Sequence, residues 1–206
     1  MPSSGSSAAW EVAISVSTRE VSARLEPFPA PGTVGIFTPA EVRIETGAGD
    51  VCAARQDPVT DFSSVQNDRG WDDLQLLYHT GYSFWNYLTA PFLLAHPGVE
   101  VRDGGPWTEN ERERWHRVEI AFPPSIPTHS PSQTYYFDDD GLVRRVDYTA
   151  SFLGATLDVA HYCADHRVAG GVPVPRRRWV VPRRASGKAR TGPVMLSIAV
   201  RDAWLG

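Results

Sequence analysis

Apolar and polar positions alternate with a period of two through both ends of the chain, and switch to steps of three and four in the middle. Trp10, Val12, Ile14 and Val16 alternate with Glu11, Ala13, Ser15 and Ser17, the pattern of a strand with one buried face. "VSARLEPF" continues it, "PAPG" at 29–32 predicts a turn, and "TVGIFTP" follows. "AEVRIETGAGD" places Val42 and Ile44 in a short strand ending at a Gly-rich turn, before "VCAARQDP". Together these segments predict a meander of antiparallel strands.

The middle predicts a helix. Asp72 or Asp73 can cap its start. Leu74, Leu77, Tyr78, Gly81, Tyr82, Trp85 and Leu88 then recur at helical spacing, and Leu76, Phe84 and Tyr87 make the other side apolar as well. Such a helix is buried on most sides. Pro91 predicts its end. Residues 74–95 carry no charge and are long enough to span a bilayer, but Gln75, His79, Ser83, Asn86 and Pro91 interrupt them. The expectation is a buried helix with no stable membrane insertion.

The period of two returns after "HPG" at 96–98. "VEVRD" and "RWHRVEIAFP" flank a charged loop, and "PPSIPTHSPSQ" is a long Pro/Ser loop. "TYYF-DDDG-LVRRVDYTA" predicts a hairpin whose turn uses Gly141. "TLDVAHYCADHRV" and "VPVPRRRWVV" predict a second hairpin around "AGG" at 169–171, and "VMLSIAVRDAW" a last strand. The total is nine or ten strands and one main helix. The fold class expected is α+β, mainly antiparallel β, with a strongly curved sheet or half-barrel wrapped around the buried helix. Residues 1–9 are expected to be disordered, and 10–206 to form a single ligand-binding domain.

Composition narrows the function. With 206 residues, 42% hydrophobic, and 7 Trp, 7 Tyr and 8 Phe, the chain can bury a core. A net charge of −4 gives no general attraction to nucleic acid, and no nucleic-acid-binding motif is present. Cys52 and Cys163 are expected to be free thiols in a reducing compartment. The N-terminal stretch lacks a basic region followed by an apolar run, so a cytoplasmic location is expected.

Recognisable reaction motifs are absent. The chain has no Gly-rich nucleotide loop, no Walker lysine and no His-Glu-x-x-His, and no cofactor is expected. "GYSFW" at 81–85 sits within the helix pattern, so it is not a hydrolase elbow. His161 and His166 fall on opposite strand faces, which gives no metal spacing. Arg176–Arg178, with Arg183, Arg184, Lys188 and Arg190, read either as a solvated basic face or as a patch for an anionic ligand.

"YFDDDGLVRRVDY" followed by "AHYCADHRVAGGVPVPRRRWV" resembles the C-terminal part of the LolA-like fold. "TPAEVRIETGAGDVCAAR" is similar to the strand and turn rhythm of its front half. Over residues 10–204 the chain also resembles an uncharacterised bacterial family carrying "GYSFWNYLTAPFLL" and "PTHSPSQTYYFD". The resemblance implies a curved antiparallel sheet around a helix, enclosing an apolar cavity. LolA-like members carry lipoprotein acyl chains or other lipids in the cell envelope.

The function expected is enclosure of a hydrophobic small molecule in an apolar and aromatic cavity, with two readings. One is a cofactor-independent cyclase or isomerase that folds its substrate and excludes water. The other is a non-catalytic LolA-like carrier. His129 in the Pro-rich loop, and His79 and Tyr82 on the helix, are the candidate acid–base groups. Tyr78, Trp85 and Asn86 are candidate ligand contacts from the helix. Tyr136, Tyr148, Tyr162, His161, Arg176 and Arg178 are candidates from the strands. Polar groups set among aromatics are how small-molecule pockets are lined.

Overall fold

The computed structural model describes residues 10–63, 71–90, 92–152 and 155–205. The N-terminal segment expected to be disordered, and Pro91, lie outside these. The chain divides into two compact units, one up to Tyr87 and one from Leu88 onward, and each is described by itself.

The first unit holds a five-stranded antiparallel meander: β1 (Ala13–Val16), β2 (Ala23–Glu26), β3 (Thr33–Phe37), β4 (Glu41–Thr46) and β5 (Val51–Gln56). Ladder pairs such as Ile14 with Leu25 and Phe37 with Val42 set the register. Period-two alternation survives in the fold: Ala23 and Leu25 are buried, while Arg24 and Glu26 are exposed.

Two helices follow, α1 (Pro58–Ser63) and α2 (Asp73–Thr89). The start of α2 is a reciprocal cap. Asp72 Oδ1 accepts the Gln75 backbone N–H at 2.8 Å, and Gln75 Oε1 accepts the Asp72 N–H at 3.0 Å. Arg55 of β5 grips the same carboxylate with two hydrogen bonds, at 3.2 and 2.8 Å. Leu77, Tyr78 and Tyr82 of α2 join Leu25, Phe28, Phe37 and Val42 in one core cluster. Burial of such a side chain stabilises by about 1.5–3 kcal/mol.

Close approach between helix and sheet depends on two glycines. A Cβ on Gly81 would lie 2.4 Å from Phe37 Cγ, and one on Gly35 would lie 2.6 Å from Leu77 Cδ1.

The second unit opens with a 3-10 turn (Phe92–Ala95) and a seven-stranded antiparallel sheet: β6 (Glu100–Thr108), β7 (Arg114–Ala121), β8 (Ser132–Phe137), β9 (Val143–Phe152), β10 (Ala155–Ala169), β11 (Val172–Pro182) and β12 (Leu196–Ala199). Both predicted hairpins form, β8–β9 and β10–β11. Gly141, Gly170 and Gly171 supply the positive φ their turns need.

The fold is therefore mostly antiparallel β with few helices, and two points correct the sequence reading. The strands form two sheets, with no closed barrel among the described residues, where a single curved sheet or half-barrel was expected. Hairpins carry each ladder from strand to neighbouring strand; between β5 and β6 the chain runs through helices instead, so one ladder ends and another starts. Among the described residues the strands number twelve, where nine or ten were expected; the predicted last strand is Leu196–Ala199. Among the described residues no helix is long and apolar enough to cross a membrane.

Candidate functional site

The two faces of the seven-stranded sheet differ in chemistry. Paired residues of an antiparallel ladder share a face, so the register sorts them. One row runs Val118, Tyr135, Val146, His161, Val180 and Leu196. The next contains Ile120, Gln133, Tyr148 and Val159. Most of this face is buried, with Val159 at 0% and His161 at 1% exposure.

The loop between β7 and β8 folds over this apolar face. Its base is closed by the Phe122 N–H donating to the Pro131 carbonyl at 2.8 Å. Inside it, Ile126 N–H donates to Pro123 O, and Thr128 Oγ1 to Ser130 O. Phe122 and Ile126 are buried. A compact loop with adjoining ends and its own packing is an Ω-loop, a kind that often carries function. From it, His129 lies flat on Tyr148, centroids 4.7 Å apart and planes at 8°. Tyr148 in turn meets His161 edge-on at 6.3 Å.

Burial, with Arg178 and His129 nearby, holds the His161 imidazole well below its ordinary value. His161 is therefore neutral at neutral pH. Arg178 is itself buried, and its Nη1 donates to Cys163 Sγ at 3.1 Å. Burial pushes the Cys163 thiol up, so it is not a reactive thiolate. Both cysteines are free thiols.

The opposite face centres on an ion network. Arg145 is fully buried. Its Nε and Nη2 donate to Asp147 Oδ1 and Oδ2 at 2.6 and 2.8 Å, and its Nη1 to Glu109 Oε2 at 2.8 Å. Tyr136 OH donates to Asp147 at 2.9 Å, and Tyr162 OH and Trp107 Nε1 both donate to Glu109. The guanidinium sits over the rings of Tyr136, Tyr162 and Trp107 at 4.9–5.7 Å. Burial opposes ionisation of Glu109, but the Trp107 and Tyr162 hydrogen bonds and the Arg145 charge hold its carboxyl below the ordinary range. At Asp147 burial prevails and pushes the carboxyl up.

Residues 183–190 close over one end of that face. Arg183 bridges to Ala189, Arg145 donates to the Gly187 carbonyl, and Lys188 Nζ donates to the carbonyls of Thr108 and Glu109. Gly187 has φ 84° and lies against the Trp107 indole, where a Cβ would sit 3.0 Å from the ring.

The structure thus brings together His129, Tyr148, His161 and Arg178 of the predicted set. Tyr136 and Tyr162 lie on the other face, where their hydroxyls serve the ion network. Within the first unit, His79 packs against Trp71 and Tyr82, at 4.6 and 5.3 Å between centroids. Burial pushes His79 down to about 4 and the Tyr82 phenol well up. Tyr78 is edge-on to Phe37, Trp85 Nε1 donates to the Ser17 and Glu20 carbonyls, and Asn86 Nδ2 donates to Tyr82 O.

The arginine run is not a simple solvated face. Arg178 is buried, Arg177 lies over the Trp179 ring, and Arg176 binds the Val200 and Arg201 carbonyls of the tail. Alternation along β11 turns Arg178 inward, while pairing to the C-terminal segment occupies Arg176.

Sequence reasoning missed Arg145 and Glu109, and placed Lys188 in the basic run, where the structure has it holding the Thr108 and Glu109 carbonyls. The signal for Arg145 was its position two residues from Asp147, placing both on one face of β9. Among the described residues no group of three His, Cys, Asp or Glu could hold a metal ion.

These features define a two-sheet antiparallel β protein with one apolar, loop-covered sheet face and one polar face. No family model and no curated protein matches the chain. Among solved structures it is similar to the LolA superfamily protein NE2245 from Nitrosomonas europaea, at 10% identity and a TM-score of 0.45, covering 84% of this chain and 74% of that one. It is also similar to a DUF1329 family protein from Desulfovibrio piger ATCC 29098, at 9% identity and a TM-score of 0.42, covering 78% of this chain and 64% of that one. At these values the likeness carries no argument about chemistry.

Proposed function

We propose that this chain is a binding protein for a hydrophobic or amphipathic small molecule, held against the apolar face of the seven-stranded sheet beneath the 122–131 loop. The observation that carries this reading is the His129–Tyr148–His161 column under a closed Ω-loop. It sets a few polar side chains into an aromatic and aliphatic wall, the composition expected of a small-molecule site. Arg178 adds a buried cation that would anchor a carboxylate or other anionic end. The loop lifts from Tyr148 to admit the ligand and reseats on it.

The sequence motifs that resemble LolA-like proteins imply the same class of cargo. A cofactor-independent cyclase or isomerase is the second reading, favoured by two imidazoles set against one tyrosine. In that reading neutral His161 accepts a proton and His129 returns one.

Native mass spectrometry of the intact chain separates the outcomes. Incubation with palmitate should give a one-to-one complex that releases the fatty acid unchanged. Absence of any stoichiometric complex with palmitate would contradict the binding reading. A co-purified apolar molecule that changes mass during incubation would favour the cyclase reading.

A further inference from the structure

The polar face of the seven-stranded sheet carries a groove of ≈ 500 Å³. Small side chains make it. Thr134 lies between Glu119 and Asp147 in one row, and Ser132 pairs with Ala121 in the next. Longer side chains rise around these short ones, and Ser186 and Gly187 form part of the wall. That wall is held in place by Arg145 and Lys188 through backbone carbonyls.

The groove is balanced in charge. It is lined by three arginines (Arg102, Arg117 and Arg183) and three carboxylates (Glu100, Glu119 and Asp147). Most are paired internally, Arg102 with Glu100 and Arg183 with Asp147 and Asp158. Among the described residues, Arg117 and Glu119 have no ion-pair partner. Arg117 instead rests over the Trp107 ring at 5.6 Å, and its buried Nε has no hydrogen-bond partner among the described residues.

Arg117 and Glu119 are two apart on β7, so they share the groove face. Two residues of strand rise set their Cα atoms roughly 6.5 Å apart. An extended dipeptide spans about the same length between its ammonium and its carboxylate. The groove volume falls within the range of small-molecule sites.

We propose that this groove is a second binding site, for a zwitterionic ligand of short-peptide class. Its carboxylate binds Arg117 and its ammonium binds Glu119. Ser132, Thr134 and Ser186 supply hydroxyls for the peptide group between. A simple anion is disfavoured by Glu119 and Asp147, and a simple cation by Arg117 and Arg183.

The test is an NMR titration of the full ¹⁵N-labelled chain with alanyl-alanine, N-acetyl-alanyl-alanine and alanyl-alanine amide. Alanyl-alanine should saturably shift the Trp107 indole and the Ser186 and Gly187 amides. Each blocked analogue should bind at least ~10-fold more weakly, because each loses one charge-assisted contact. In R117Q the dipeptide and its amide should bind alike, and in E119Q the dipeptide and its N-acetyl form should bind alike. Glu119 is exposed, so E119Q reports on binding without disturbing the core. No saturable shift at Trp107, Ser186 and Gly187 overturns the proposal. So does equal binding of all three compounds, or the same shifts produced by uncharged maltose.

Discussion

Arg145 and Asp147 form a bidentate ion pair two residues apart on one strand, and the arginine is completely buried. Glu109, from the loop after β6, takes the third donor of the same guanidinium. A buried pair stabilises little against an apolar substitute, but breaking one leaves uncompensated charge. Arg145→Met should therefore destabilise the chain by about 3–5 kcal/mol in urea denaturation. Adding Asp147→Asn and Glu109→Gln should recover a large part of that loss. A single Arg145→Met variant as stable as wild type would contradict the network's role.

Gly81 tests the packing of α2 on the five-stranded sheet. In an exposed helix Gly→Ala gains about 1 kcal/mol from propensity. Here the new methyl would fall within 2.5 Å of Phe37 Cβ and Cγ. Gly81→Ala should instead destabilise by about 1–3 kcal/mol, the usual cost of overpacking. Pairing it with Phe37→Leu should cost less than the sum of the two single changes. Thermal melts of the four chains would show this.

Asp72 serves the helix start twice, as a cap for Gln75 and as a partner for Arg55. The Arg55 hydrogen bonds hold its carboxyl below the ordinary value, with the backbone N–H groups helping. Asp72→Ala should cost about 1–2 kcal/mol, the range for a lost cap. Asp72→Asn keeps the cap acceptor and loses the charge, so it should cost less. Equal losses would assign the stability to the ion pair.

His79 gives stability a dependence on pH. Its pKa falls to about 4 in the folded chain, against an ordinary 6.5, because burial disfavours the imidazolium. Between those values the unfolded chain takes up a proton that the folded chain refuses. Stability is thus complete above pH 6.5 and declines as pH falls toward 4, by at most about 3 kcal/mol. His161 acts in the same direction. His79→Phe should flatten, without abolishing, the fall in urea midpoint between pH 7 and 4.5. An unchanged pH slope would place His79 in solvent.

Local patterns were legible where physics is local. The 3.6 period and Asp72 located α2, and turn glycines located both long hairpins. What the sequence concealed was non-local. Nothing in "PPSIPTHSPSQ" says that His129 lies on Tyr148, because that stacking depends on loop closure between Phe122 and Pro131. Nothing in "RRR" says which arginine is inside; that follows from the pairing of Arg178 with Cys163. The division into two sheets was hidden for the same reason, since strand patterning does not show where a ladder ends. Arg145 was concealed because its partner Glu109 is 36 residues away.

The central claim, a ligand held between the 122–131 loop and the apolar sheet face, is tested most directly by titrating a fluorescent fatty acid into wild type, His129→Ala and Tyr148→Leu. The account predicts one saturable site in wild type, displaced by palmitate, with affinity falling at least ~10-fold in each variant as a stacking and wall contact is lost. Equal affinity in all three folded chains, or no saturable site in wild type, would contradict it.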